Sequence, residues 1–160
     1  MGAGAFHIGV AAAGDDIGAI ARLFQAYADS LPVDLAYQDF AAELAGLPGK
    51  YVPPMGALLI ARDKAGVPLG CVALRPMAAA NCCEMKRLYV APAGRGLGLG
   101  RALVEAICAE ARRLGYREIR LDTLPSMTEA IALYTRLGFT PIPAYYDTPV
   151  TGTHFLARAL

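Results

Sequence analysis

The chain has 160 residues, of which 56% are hydrophobic and 18% charged, enough for one domain (residues 1–160) with a substantial core. This composition excludes a disordered chain, because ample apolar surface is available to offset the entropy of ordering. Fifteen basic residues against fourteen acidic leave a net charge of +1, which gives no electrostatic footprint for nucleic acid and no polybasic surface for a membrane.

Residues 1–10 lack the basic start, apolar stretch and cleavage site of a secretory signal. Arg62, Asp63 and Lys64 interrupt the best apolar run before it reaches bilayer length. The expectation is a soluble, cytoplasmic protein. Cys71, Cys82, Cys83 and Cys108 have neither CxxC nor CxxH spacing, so they read as small reduced apolar residues and no metal is expected.

In chain order, residues 6–12 predict a first strand. Gly14, Asp15 and Asp16 form a turn with an aspartate placed to cap a helix, whose apolar face carries Ile17, Ile20, Ala21, Phe24 and Ala28. Leu31-Pro32 breaks that helix, and Asp34 caps a second one running through Leu44. Residues 49–55, with Pro53 and Pro54, are a loop. Residues 57–62 and 69–74, separated by Ala65-Gly66, predict a hairpin. Residues 82–90 predict a third strand of this group, with Glu84, Lys86, Leu88 and Val90 alternating onto one side.

A long helix follows the loop at 91–98, with Leu99, Leu103, Ile107 and Ala111 at helical spacing and Gly115 at its end. Residues 118–122 are a short strand. Ser126 and Glu129 have capping-box spacing for a last helix carrying Ala130, Leu133, Tyr134 and Leu137. Two final strands are expected near residues 140–144 and 153–160. The strand–helix–strand unit over residues 82–122 is a parallel crossover, while the earlier strands read as antiparallel. The fold class is therefore α+β with α/β character: a mixed, mostly antiparallel sheet with helices on both faces.

The most informative segment is Arg95-Gly96-Leu97-Gly98-Leu99-Gly100-Arg101, set where a strand turns into a helix. Glycine lets the backbone bend sharply and approach a ligand. The first helical amides lack internal partners, and the helix dipole is positive there, so the turn suits a diphosphate. Arg95 or Arg101 adds a charge-assisted contact. The dinucleotide pattern GxGxxG fails because Arg101 stands where the last glycine belongs. The P-loop fails because Gly100 is followed by Arg101 and Ala102 rather than Lys and Ser or Thr.

What remains is R-x-x-G-x-G, met by Arg95, Gly98 and Gly100 after Leu88-Tyr89-Val90-Ala91-Pro92. Together with the later Ala130-Ile131-Ala132-Leu133-Tyr134-Thr135-Arg136-Leu137-Gly138-Phe139, this resembles the coenzyme A signature of the GNAT superfamily of N-acetyltransferases. The resemblance is clearest over residues 84–139. It implies acetyl-CoA as co-substrate, bound by the loop and by the backbone of Leu88, Tyr89 and Val90 at a splayed strand edge. The amide of Val90 or of Leu88 then polarises the thioester carbonyl.

Two catalytic residues follow from the same resemblance. Tyr134 is the candidate acid, since a phenol of reference pKa near ~10 is protonated at neutral pH and can donate to a leaving thiolate. Glu84 is the candidate base, directly or through water. Met127 stands where many members carry an asparagine beside the coenzyme, which removes one side-chain hydrogen bond.

The acceptor is expected to be a primary amine on a small molecule, with an amino acid or a polyamine-like compound in view. A protein lysine or N-terminus and a non-catalytic acyl-CoA sensor stand as alternatives. Tyr27, Tyr37, Asp39, Tyr145, Tyr146 and Asp147 fall on the elements that grip the acceptor in this family. His7 and His154 receive no role. A monomer or a homodimer is expected.

Overall fold

A computed structural model of the chain describes residues 4–12 and 14–160. Met1 to Ala3, part of the segment read above for a signal, lie outside the described residues. Seven strands form one sheet in the order β1-β2-β3-β4-β5-β7-β6. The strands are β1 (His7–Val10), β2 (Ala57–Arg62), β3 (Pro68–Pro76), β4 (Cys82–Val90), β5 (Glu118–Thr123), β6 (Thr140–Pro141) and β7 (His154–Ala159). β4 and β5 are the one parallel pair of the sheet, and the other neighbours run antiparallel.

Helices cover both faces, as the fold class required. On one face lies α3 (Leu99–Arg113), the crossover between β4 and β5, beside α4 (Thr128–Arg136). α3 buries Leu99, Leu103, Val104, Ile107, Cys108 and Ala111, the three-to-four residue spacing that places side chains on one stripe. They pack on Leu59, Val72, Leu74, Met85, Ile119 and Leu121 of the sheet. Each such aliphatic side chain contributes roughly 1.5–3 kcal/mol by leaving water. The opposite face holds α1 (Asp15–Asp29) and α2 (Phe40–Ala45), whose Ile20, Leu23, Phe24 and Phe40 pack with Leu58, Ile60, Cys71 and Ala73. The four cysteines are free and buried.

Local details depart from the sequence reading in five respects, strand length first. β1 is shorter than residues 6–12, and the strand expected over 140–144 shrinks to Thr140–Pro141. Asp34 does cap, accepting from the Ala36 amide at 2.9 Å, but it caps a 3-10 turn over Leu35–Gln38. Asp39 in the left-handed region (φ 57°) then separates this turn from α2. Gly14 rather than an aspartate is the N-cap of α1; Asp16 reaches back to the Ala12 amide and pairs with Arg62. Met127 occupies the N-cap of α4 with no side-chain cap, so Ser126 and Glu129 form no capping box.

The fifth departure shapes the site. Cys71 pairs with Tyr89 and Ala73 with Lys86, so Val72 of β3 faces two residues of β4, Arg87 and Leu88. Arg87 takes φ 60° at this bulge. An extra residue inverts the alternation of every side chain beyond it. Cys83 and Met85, and then Leu88 and Val90, pack toward α3; Glu84 and Lys86 do not share a side with Leu88 and Val90.

Candidate active site

The parallel pairing of β4 with β5 is short: Cys82–Glu118, Cys83–Ile119 and Glu84–Arg120. Beyond it β4 keeps pairing with β3 up to Val90, and β5 keeps pairing with β7 up to Thr123. The sheet therefore opens into a V three residues before the bulge, which bends β4 away from β5. Among the described residues, the β5-facing edge of β4 over residues 85–90 has no strand partner.

The V opens onto a cleft of about 830 Å³. One wall is Leu88, Tyr89 and Val90; a second is the loop, with Gly94, Arg95, Gly96, Gly98, Leu99 and Gly100. Residues 126–130 at the start of α4, with Leu133 and Arg136, make the third. Leu97 and Arg101 do not line it, and Arg101 points to solvent from the helix surface.

Gly96 and Gly98 take φ 79° and 74°, a left-handed conformation that ordinary side chains avoid. Gly98 caps α3 without a side-chain partner. Among the described residues, the amides of residues 96–101 find no acceptor within the protein; the first amide to do so is that of Ala102, bonded to the Gly98 carbonyl at 3.1 Å. Of these residues Gly96, Gly98, Leu99 and Gly100 line the same opening as the bare edge of β4, at the positive end of α3, with Arg95 and Arg136 beside them.

A narrower cavity of about 30 Å³ continues from the cleft into the V, sharing Tyr27, Leu88 and Met127 as walls. It is lined further by Tyr37, Gln38, Lys86, Arg87, Asp122, Thr123 and Tyr134. Tyr134 is 5% exposed and packs against Phe139, ring centroids 5.6 Å apart. Its hydroxyl makes no hydrogen bond among the described residues, and burial pushes the phenol well above its ordinary range. Burial likewise raises Tyr27 to about 12.

Glu84 lies elsewhere. It is 1% exposed and lines neither the cleft nor the inner cavity. One oxygen accepts from Arg75 at 2.7 Å, the other from the Tyr145 hydroxyl at 2.6 Å, and Lys86 Nζ stands 3.9 Å away. Each oxygen of this carboxylate is thus engaged by one short hydrogen bond. Tyr146, next to Tyr145, donates in turn to Asp122 at 2.5 Å, and both tyrosines pack edge-on against Phe155. The Tyr-Tyr pair thus clamps one carboxylate on each arm of the V.

Of the other acceptor-side residues named from sequence, Tyr27 and Tyr37 line the cavity, Asp39 faces a separate pocket near Lys50, and Asp147 is exposed. Lys86, Asp122 and Gln38, which belong to no sequence motif, line the same cavity as Tyr27 and Tyr37. Asp122 looks like any strand-end aspartate until the sheet opens beside it.

Arg87 is 4% exposed and bridges the two sides. It holds Glu43 with two nitrogens at 2.9 and 3.0 Å, donates to Gln38 at 2.8 Å, and lies over the rings of Tyr27 and Phe40. Burial alone would raise Glu43, but its bond to Arg87 overcomes this and holds the carboxyl below its usual range.

Among the described residues, no cluster of His, Cys, Asp or Glu has the makings of a metal site, and no helix is long and apolar enough to cross a membrane. The model of the Acetyltransferase (GNAT) family matches residues 20–139. An uncharacterized N-acetyltransferase of Schizosaccharomyces pombe is 42% identical over 141 residues, covering 88% of this chain and 86% of the relative. A GCN5-related N-acetyltransferase structure from Kribbella flavida has a TM-score of 0.71 at 27% identity, over 98% of both chains. A phosphinothricin acetyltransferase from Sinorhizobium meliloti, solved with acetyl-CoA, shares the fold with a TM-score of 0.71 at 20% identity, over 98% of this chain and 89% of that one. With a family match across most of its length, on a sheet split at its parallel pair, this chain belongs to the GNAT family of N-acetyltransferases.

Proposed function

We propose that the chain transfers an acetyl group from acetyl-CoA to a primary amine of a small molecule, in the cleft between β4 and β5. The observation that carries this reading is the set of unpartnered amides of Gly96, Gly98, Leu99 and Gly100, on residues that line the same cleft as the bare edge of β4. The diphosphate of the coenzyme sits on those amides, with Arg95 or Arg136 adding charge. The pantetheine arm pairs with the backbone of Leu88, Tyr89 and Val90 as an added strand, replacing water on an edge that folding leaves open. Met127 gives the arm an apolar wall where a side-chain amide is common in the family.

Tyr134 is the acid. Burial raises its pKa, so the phenol is protonated at neutral pH, and its free hydroxyl supplies a proton to the departing sulfur. Glu84 is a positioning residue: it fixes Tyr145 and balances Arg75 and Lys86, and the amine loses its proton to another group facing the cavity.

The test is calorimetry with acetyl-CoA on the wild type and on Tyr134→Phe, beside thiol release with an amine panel. Tyr134→Phe is expected to bind the coenzyme unchanged while kcat falls roughly 100-fold. Failure of the wild type to bind acetyl-CoA overturns the reading. Binding without turnover of any amine moves it to an acyl-CoA sensor.

A further inference from the structure

Resting on the acetyltransferase reading, we infer that the acceptor is a zwitterion, an amine that also carries a carboxylate, held between Asp122 on one arm of the V and Lys86 on the other. Both side chains line the inner cavity beside Tyr134. Glu84 pairs with Arg120 at the last rung before the strands part, so Lys86 and Asp122, each two residues further, face one another across the opening. Among the described residues they form no ion pair. Two opposite charges thus share one small cavity without neutralising each other.

The charges around them are already matched. Arg87 is taken by Glu43 and Gln38, and Glu84 by Arg75 and Tyr145. Lys86 is left with only long contacts, 3.5 Å to Gln38 Oε1 and 3.9 Å to Glu84 Oε1, although its side chain is just 9% exposed. Desolvation weakens its charged form more than the distant Glu84 carboxylate supports it, and a second anion in direct contact would add to that support. One oxygen of Asp122 accepts from Tyr146, and the other has no partner among the described residues.

A zwitterion satisfies both ends at once: carboxylate on Lys86, ammonium on Asp122. A diamine would set a cation beside Lys86 and Arg87. A plain amine, a peptide lysine or a protein N-terminus would leave Lys86 with only its long contacts to Glu84 and Gln38, which costs binding. The geometry also supplies the proton path. The ammonium gives one proton to Asp122, and the free amine forms the C–N bond to the thioester carbon. The C–S bond breaks, the sulfur takes the proton of Tyr134, and the second nitrogen proton returns to the phenolate. The products are the amide, the free thiol and one proton on Asp122 that passes to water.

The experiment follows thiol release from acetyl-CoA with leucine, methionine and phenylalanine, each beside its decarboxylated amine, and with putrescine. At least one amino acid is expected to exceed its decarboxylated partner in kcat/KM by about 10-fold or more, the size of a lost charge-assisted contact. Lys86→Met is expected to erase that preference through KM with kcat nearly kept, and Lys86→Arg to recover part of it. The inference is overturned if the wild type turns over the decarboxylated amines or putrescine equally well, or if Lys86→Met keeps the preference. Calorimetry with acetyl-CoA alone reads the underlying function separately. Coenzyme binding without acetylation of any amino acid overturns the zwitterion and leaves the coenzyme site standing; no coenzyme binding overturns both.

Discussion

At the scale of single residues, position relative to the split sheet decides what each group can do. Glu84 and Asp122 are both strand carboxylates held by a tyrosine, yet only Asp122 faces the inner cavity. Glu84→Gln is therefore expected to lower kcat about 10-fold or less, through disorder in Arg75 and Tyr145, while the acidic limb of the kcat/KM pH profile stays in place. A direct base would take that limb away with it. Disappearance of the limb in Glu84→Gln would return the base to Glu84.

At the scale of elements, the bulge at Arg87 is the joint of the site. It turns Leu88 and Val90 toward α3 and lets β4 leave β5. The positive φ of Arg87 is held by the buried pair with Glu43, which also fastens α2 and the preceding 3-10 turn to β4. Removing one partner of a buried pair leaves the other uncompensated, so Glu43→Gln is expected to cost about 3 kcal/mol in chemical denaturation. The sign of the pH effect is fixed by the lowered carboxyl. Its folded pKa lies below the ordinary 4.5, so the pair's contribution is complete above that pH and is lost as pH falls through the folded value. Glu43→Gln should flatten this acid limb of the stability curve; an unchanged limb would show that another group sets it.

At the scale of the whole molecule, the sheet packs helices on both faces yet leaves the cleft open at its parallel pair. A coenzyme that bridges α3, β4 and α4 ties together elements that otherwise meet only through the core. Acetyl-CoA at about 100 times its Kd is expected to add about 2.7 kcal/mol of stability and to raise Tm by roughly 5–10 °C in a thermal melt. A melt indifferent to acetyl-CoA and to coenzyme A would count against a site in this cleft.

Much of this was legible in the sequence because it rests on local chemistry. Gly96 and Gly98 declare a left-handed turn, the spacing of Leu99, Leu103, Ile107 and Ala111 declares the helix it opens, and the order of strands around that helix declares a parallel crossover. The family resemblance rested on the same residues. The tertiary structure alone decided the rest. Ser126 and Glu129 have capping spacing, but Met127 takes the cap. Strict alternation puts Lys86 on the side of Leu88, but the bulge inverts it, a shift that a period of two cannot announce. Asp122 and Lys86, 36 positions apart, meet only because two paired strands diverge. A sequence fixes which backbone can bend and which faces are apolar, but the meeting of distant charges depends on where neighbouring strands part, and that is a property of the packed sheet.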